Sequence, residues 1–331
     1  MLNKQVKVLT ASDDLLEFLE NHPSHVARVH SVFHHATNLL NQAGELITLT
    51  NLDDITPMGL VVDYGISFSR YLKMDDEVTL DIDRITAVNG EFTLILRDAE
   101  VWKTSPLLNL VPHSGDEIAE IRSKLMKLVA KQPPLGLLPL LSRLTDQPAD
   151  LNPIDDNLYS RYIADDLAAF TQAIAASSWE HALNIANRLI GFGMGSTPSC
   201  DDFLAAYMVI FKMAEAVKPG HYPWVRGFNK AISDKAKKRT TLISANMLRH
   251  ASDGKICRSH QHLIQACLYQ NKSDLASLTG QVMQHGASSG GDFLLGLVCA
   301  LEWYRNSMAD NPKKGEQAWV GLKGAQPVPS I

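Results

Sequence analysis

GFGMGSTPSCDDFLAAYMVIF, from Gly191 to Phe211, is the stretch on which the fold turns. Three glycines alternate, and Thr197 stands immediately before Pro198. That order predicts a helix start: Thr197 caps, and Pro198 at the first helical position gives up only an N–H that had no partner. The residues that follow, Phe203 to Phe211, are apolar on every face, which predicts a helix at the centre of its domain. A buried helix start leaves N–H groups in need of an acceptor and carries partial positive charge, which suits phosphate or carboxylate. Glycines let backbone approach such a ligand closely.

A second stretch repeats the design. In HGASSGGDFLLG, His285 to Gly296, the residues Ser289, Asp292, Phe293 and Leu294 align with Ser199, Asp202, Phe203 and Leu204. It also opens an almost wholly apolar helix. The expectation is that the two starts converge and line one polar pocket with hydroxyls, N–H groups and two aspartates. The plainer alternative, two well-capped core helices, stays open. A third element, RTTLISA from Arg239 to Ala245, puts Thr240, Thr241 and Ser244 three or four residues apart, on one face of the next helix. An arginine beside hydroxyls suits bidentate capture of carboxylate or phosphate, and a solvated basic surface is its plainer reading. The candidate catalytic residues are therefore Asp202, Asp292 and Arg239. The candidate substrate- or phosphate-binding residues are Gly193, Gly195, Ser196, Thr197, Ser199, Thr240, Thr241, Ser244, Ser288, Ser289 and Gly290. No metal and no cofactor is expected; the less favoured alternative is a divalent cation on Asp201, Asp202 and Asp292.

Working outward, the 331 residues divide at a compositional seam. Residues 24–106 read as a β-rich domain: Val26–Phe33, Leu46–Leu49, Gly59–Val62, Val78–Ile82 and Phe92–Leu96 are short apolar runs between turn formers. Asn89-Gly90 signals a hairpin, because a type I′ turn needs positive φ at both central positions. Residues 1–23 read as an N-terminal helical segment, with Ser12 capping a helix that runs to Leu19 and with Asp13 and Asp14 at its positive end. Residues 107–310 read as a helical domain carrying the Gly/Ser loops, and 311–331 as a flexible tail. Within the helical domain, Gly115–Lys131 has helical periodicity, Gln132–Leu141 is Pro/Gly/Leu-rich, and a polar loop runs to about Pro153. The expected class is α+β: an N-terminal β-rich domain followed by a larger all-α domain with two buried central helices.

Charge and composition exclude several functions. With 31 basic and 36 acidic side chains the net charge is −5, and no long basic run offers a nucleic-acid footprint. No run of about 20 apolar residues predicts a membrane span, and the N-terminal stretch lacks the apolar core of a signal peptide. Cys200, Cys257, Cys267 and Cys299 lack CxxC spacing and read as reduced cytoplasmic thiols. The glycine loop lacks the Gly-Lys-Ser/Thr ending of a Walker loop, and a helical segment rather than a strand precedes it, so ATP and NAD are disfavoured. The histidines at 22, 25, 30, 34 and 35, and the pair His260 and His262, read as surface or core residues rather than metal ligands. A reactive thiolate at Cys200 is disfavoured, and Trp179, Trp224 and Trp303 read as packing.

The loop GFGMGSTPSCDD, the Arg239–Ala245 element and HGASSGGDFLLG resemble, in this order, a bacterial family of unknown-function domains. Its best-known member is the AllH-type subunit of oxamate carbamoyltransferase. Val29–Phe33, Asn38, Leu46–Leu49 and Pro57 agree as well, so the likeness covers about residues 24 to 305. The family's loop usually reads GxGPGLTPSGDD; here Met194, Ser196 and Cys200 replace Pro, Leu and Gly. The resemblance implies a cytoplasmic multi-subunit enzyme of anaerobic allantoin breakdown, in purine catabolism, with other subunits as partners. That enzyme moves the carbamoyl group of oxalurate to phosphate, giving oxamate and carbamoyl phosphate. Two other classes remain: a non-catalytic assembly or metabolite-sensing subunit, and a stand-alone metal-assisted enzyme on another small carboxylate or amide.

Overall fold

KQVKVLTAS at Lys4–Ser12 forms strand β1, with Val6, Val8 and Thr10 buried and Lys7 and Leu9 exposed between them. A computed structural model describes residues 4–87, 90–105, 110–145, 157–271 and 273–309. The 1–23 segment is therefore not a helix placed ahead of the β domain: its first half is a strand of the sheet. Only α1 (Asp13–Asn21) is helical, and the hydroxyl of Ser12 accepts the Leu15 amide at 3.2 Å, as its sequence predicts. The strand gave little signal because its partners lie about fifty to ninety residues away and no hairpin turn flags it.

The remaining strands are β2 (His25–Val32), β3 (Ala36–Leu40), β4 (Leu46–Thr50), β5 (Gly59–Val62), β6 (Glu77–Asp81), β7 (Arg84–Ala87), β8 (Phe92–Ile95) and β9 (Glu100–Trp102). Their order is β5-β4-β3-β2-β6-β7-β8-β1-β9, and β1 also pairs with β5, closing a barrel. Closure removes the exposed edges of an open sheet. One side of β1 is shared, with β8 alongside Lys4–Lys7 and β9 alongside Thr10–Ser12, both parallel. Val8↔Val62 and Ala11↔Leu60 form the antiparallel seam to β5 on the other side. Leu39, Leu49, Leu60, Leu80, Phe92 and Leu94 fill the interior, and α1 adds Leu15 and Leu19 to the same core. The β7–β8 pair is antiparallel with Gly90 at φ +72°, as the hairpin signal predicts; Asn89 itself lies outside the described residues.

The chain divides into two compact units. The first comprises Met1–Pro106 with Lys255–His262; the rest of the chain forms the second. Sequence reading assigns 255–262 to the helical domain, but its polar side chains bond within the barrel unit. Lys255 pairs with Asp14 at 2.7 Å, and Gln261 accepts the Trp102 indole N–H and donates to the Thr104 carbonyl at 2.9 Å.

The second unit is helical: α2 (Gly115–Val129), α3 (Leu141–Leu144), α4 (Leu158–Ala175), α5 (Trp179–Leu189), α6 (Ser199–Val217), α7 (Val225–Ala236), α8 (Leu242–Ser252), most of α9 (Arg258–Leu268), α10 (Leu275–Met283) and α11 (Ser289–Ala309). α6 is buried continuously from Ser199 to Phe211 and packs along α11, whose Phe293–Leu301 are also buried. These are the two central helices that all-round apolar sequence predicts. Trp179 stacks on Trp224 at 3.5 Å with Trp303 and Phe211 edge-on, so the tryptophans are packing residues. The loop expected to reach Pro153 and the tail from 311 lie almost wholly outside the described residues. No helix among the described residues is long and apolar enough to cross a membrane.

Candidate functional site

The two Gly/Ser corners meet. Thr197 Oγ1 and Ser289 Oγ lie 2.8 Å apart, joining the loop before α6 to the start of α11. This bond replaces the expected capping role of Thr197. The N-cap of α6 is Pro198 itself, at φ −55° and ψ 139°, with no side-chain cap. An extended ψ at Pro198 shifts the helix start by one residue and turns the Thr197 hydroxyl across to α11. The Cys200 amide is also satisfied, by the Phe192 carbonyl at 3.0 Å, so the loop folds back to use one of the N–H groups expected to face a ligand.

Asp201 knots the Arg239–Ala245 element to the glycine loop. Its Oδ1 accepts the Gly191 amide at 2.8 Å, and its Oδ2 accepts the Thr240 hydroxyl and the Ser244 hydroxyl, the latter at 2.6 Å. Thr241 caps α8 by accepting the Ser244 amide and donates its hydroxyl to the Ser196 carbonyl. The hydroxyl hydrogens of the third element are thus committed to holding the loop. Arg239 lies beside them, exposed, with no carboxylate paired to it among the described residues; its carbonyl presses on Gly191.

Asp202 and Asp292 differ from Asp201. Both are buried, 4% and 0% exposed, and each has an Oδ2 without a hydrogen-bond partner. Asp292 Oδ1 accepts the Leu137 amide at 2.6 Å. Burial pushes the Asp292 carboxyl from 3.8 up to about 6, against the pull of the Leu137 amide and the Ser199 and Ser288 hydroxyls. Asp202 is driven well above the ordinary carboxylate range, first by burial and next by the neighbouring Asp292 charge, while the Ser289 and Thr197 hydroxyls pull it down. Burial and the repulsion between the two carboxylates together oppose ionising both at once. Burial and surrounding aspartates push the Cys200 thiol upward, which opposes a thiolate there.

Of the other predicted residues, Gly195 and Ser196 lie exposed in the loop and Ser199 is buried at its end, while Ser288 and Gly290 flank the α11 start. Gly193 sits at φ +144°, and a Cβ there would stand 2.2 Å from the Ser199 amide nitrogen and 2.5 Å from the Tyr159 hydroxyl. We expect Gly193→Ala to lower unfolding free energy by roughly 2–3 kcal/mol, read by denaturant titration, since it combines backbone strain with overpacking.

Sequence reading missed Gly136, Leu137 and Tyr159. Gly136 packs so closely on Asp292 that an added Cβ would fall 2.2 Å from Oδ1, and Leu137 acts through its amide, which leaves no side-chain signature. Tyr159 stacks on Phe192 at 4.9 Å and donates to its carbonyl at 3.1 Å; the burial beside this loop pushes its phenol up to about 12. A cavity of about 290 Å³ in the same unit, lined by Arg122, Thr171, Tyr207 and Glu302 among others, shares no residue with this cluster. Arg122 there is already paired with Glu302 at 3.2 Å, which makes it a poor anion site.

A β-barrel followed by a helical domain, with a buried acidic pair where two Gly/Ser helix starts join, defines a two-domain α+β protein with one polar centre in its helical core. The chain belongs to the AllH family. The AllH family N-terminal domain matches residues 7–101, and the family described as oxamate carbamoyltransferase subunit AllH matches residues 189–301, together more than half of the chain. No solved structure matches it. The second match begins just ahead of the glycine loop and ends in α11, so it brackets every residue of the cluster that lies between Gly191 and Asp292.

Proposed function

We propose that this chain provides the substrate-binding centre of an oxamate carbamoyltransferase, a cytoplasmic enzyme of anaerobic allantoin breakdown assembled with other subunits. One observation carries the reading: the buried Asp202 and Asp292, each with an open Oδ2, stand beside the joined Thr197 and Ser289 hydroxyls. Oxalurate presents a carbamoyl NH2, which donates to the open aspartate oxygens. Its carboxylate and the incoming phosphate are anions, drawn to the exposed Arg239 and to the Gly195–Thr197 backbone and hydroxyls. A phosphate oxygen bonds the ureido carbon, the C–N bond to oxamate breaks, and the proton lost by phosphate ends on the oxamate nitrogen. The proton held by the acidic pair can be delivered to that nitrogen and then replaced from phosphate. No covalent nucleophile and no cofactor is needed.

Assays of the complex with its partner subunits test this directly. Arg239→Ala is expected to lower kcat/KM about 10- to 100-fold, the value of one charge-assisted anion contact, with the unfolding midpoint unchanged. Equal loss of stability and turnover overturns the assignment. The competing reading places a divalent cation on the same two oxygens; Mg2+-dependent turnover that disappears in Asp202→Asn would replace the first.

A further inference from the structure

We propose that Asp54, Cys257 and His260 form a zinc site in the barrel unit. Their ligand atoms all lie within 4.8 Å of one another. Cys257 and His260 are 8% and 4% exposed, and the Cys257 Sγ stands 2.9 Å from His260 Nδ1. The spacing Cys257-Arg-Ser-His260 puts the thiol just ahead of α9 and the imidazole in its first turn, so one turn of backbone aims both toward one point. Asp54 reaches that point from the connection between β4 and β5. Its orientation is fixed by Ser259, whose amide donates to Oδ1 at 2.9 Å and whose hydroxyl donates to Oδ2 at 2.8 Å.

The donor set selects the ion. Sulfur, imidazole nitrogen and carboxylate oxygen together suit a borderline divalent metal and exclude Ca2+ or Mg2+, which take all-oxygen shells. A thiolate and a carboxylate carry two negative charges, which Zn2+ neutralises, so the buried cluster becomes uncharged overall. Bonds of about 2.0–2.3 Å place tetrahedral ligand atoms roughly 3.3–3.8 Å apart, so a bound ion draws in the atoms that lie toward the 4.8 Å limit and spreads Cys257 Sγ and His260 Nδ1 from their 2.9 Å contact, and three ligands leave the fourth position for water or a further donor. Binding requires the Cys257 proton to leave to solvent while His260 binds as the neutral ring. Ser259 orients Asp54 without binding the metal itself, as outer-shell groups commonly do.

The proposal concerns a different unit from the acidic pair, so its failure leaves the carbamoyl-transfer reading intact. The test uses the purified full chain. Metal analysis is expected to find about one zinc per chain. Replacing zinc by Co2+ should give a thiolate-to-cobalt charge-transfer band that is absent in Cys257→Ser. Ser259→Ala should weaken zinc about 10- to 100-fold while the thermal melt of the zinc-loaded chain stays cooperative. Alkylation separates metal binding from a bare thiol–imidazole pair without any variant: phenanthroline should open Cys257 to iodoacetamide, and added zinc should close it again. A chain that takes up no zinc, or whose Cys257 alkylates at the same rate with and without zinc, overturns the proposal.

Discussion

Asp292→Asn is expected to make the protein more stable at pH 8 and nearly inactive. The carboxyl is pushed from 3.8 to about 6 by burial, so above pH 6 its ionised form carries a penalty of roughly 3 kcal/mol, at 1.36 kcal/mol per pKa unit. The sign follows from proton uptake. Between pH 3.8 and about 6 the folded state binds more protons than the unfolded state, so wild-type stability falls as pH rises through this window. Asparagine keeps the acceptor for the Leu137 amide and removes the charge. Its gain should therefore be full above pH 6, about 5 °C in unfolding midpoint by calorimetry, and should vanish as pH falls toward 4. The same change removes one titrating carboxyl of the pair and with it an open carboxylate acceptor, and turnover of the assembled enzyme should drop by roughly 10²- to 10⁴-fold. A variant that loses stability at pH 8 would show that the carboxylate is a structural anchor and would remove it from the chemistry.

Asp201, one residue before Asp202, should respond in the opposite way. Both of its oxygens are engaged, Oδ1 by the Gly191 amide and Oδ2 by the Thr240 and Ser244 hydroxyls. Asp201→Ala leaves three donors without an acceptor in a buried site and should cost about 4 kcal/mol, measured by denaturant titration. Asp201→Asn keeps the oxygen facing Gly191, and both hydroxyls can rotate to accept from the new amide, so it should cost less than half as much. An alanine variant within about 1 kcal/mol of wild type would mean that the third element holds itself in place without this carboxylate. Neighbouring aspartates of one motif thus divide the work, one closing the scaffold and one left open toward the centre.

That division bears on what sequence alone can reveal. The hydroxyls of Thr240, Thr241 and Ser244 look like ligand contacts in the one-dimensional pattern. Folded, their hydrogens go to Asp201 and to the Ser196 carbonyl, because the α8 start lies against the glycine loop. Residue type announces a donor; only the neighbour decides whether it is used up. The same holds for Thr197, a plausible cap by its place before proline, which instead reaches across to Ser289.

The central helices, the barrel runs at β2, β4, β5, β6 and β8, and the pairing of the two Gly/Ser corners were legible in the chain, since each rests on local periodicity or on a repeated motif. Strand β1, the Leu137 amide beneath Asp292 and the gathering of Asp54 with Cys257 and His260 were decided only by tertiary structure. Each depends on partners far apart in sequence or on backbone atoms that every residue shares, and neither leaves a trace in residue type or spacing.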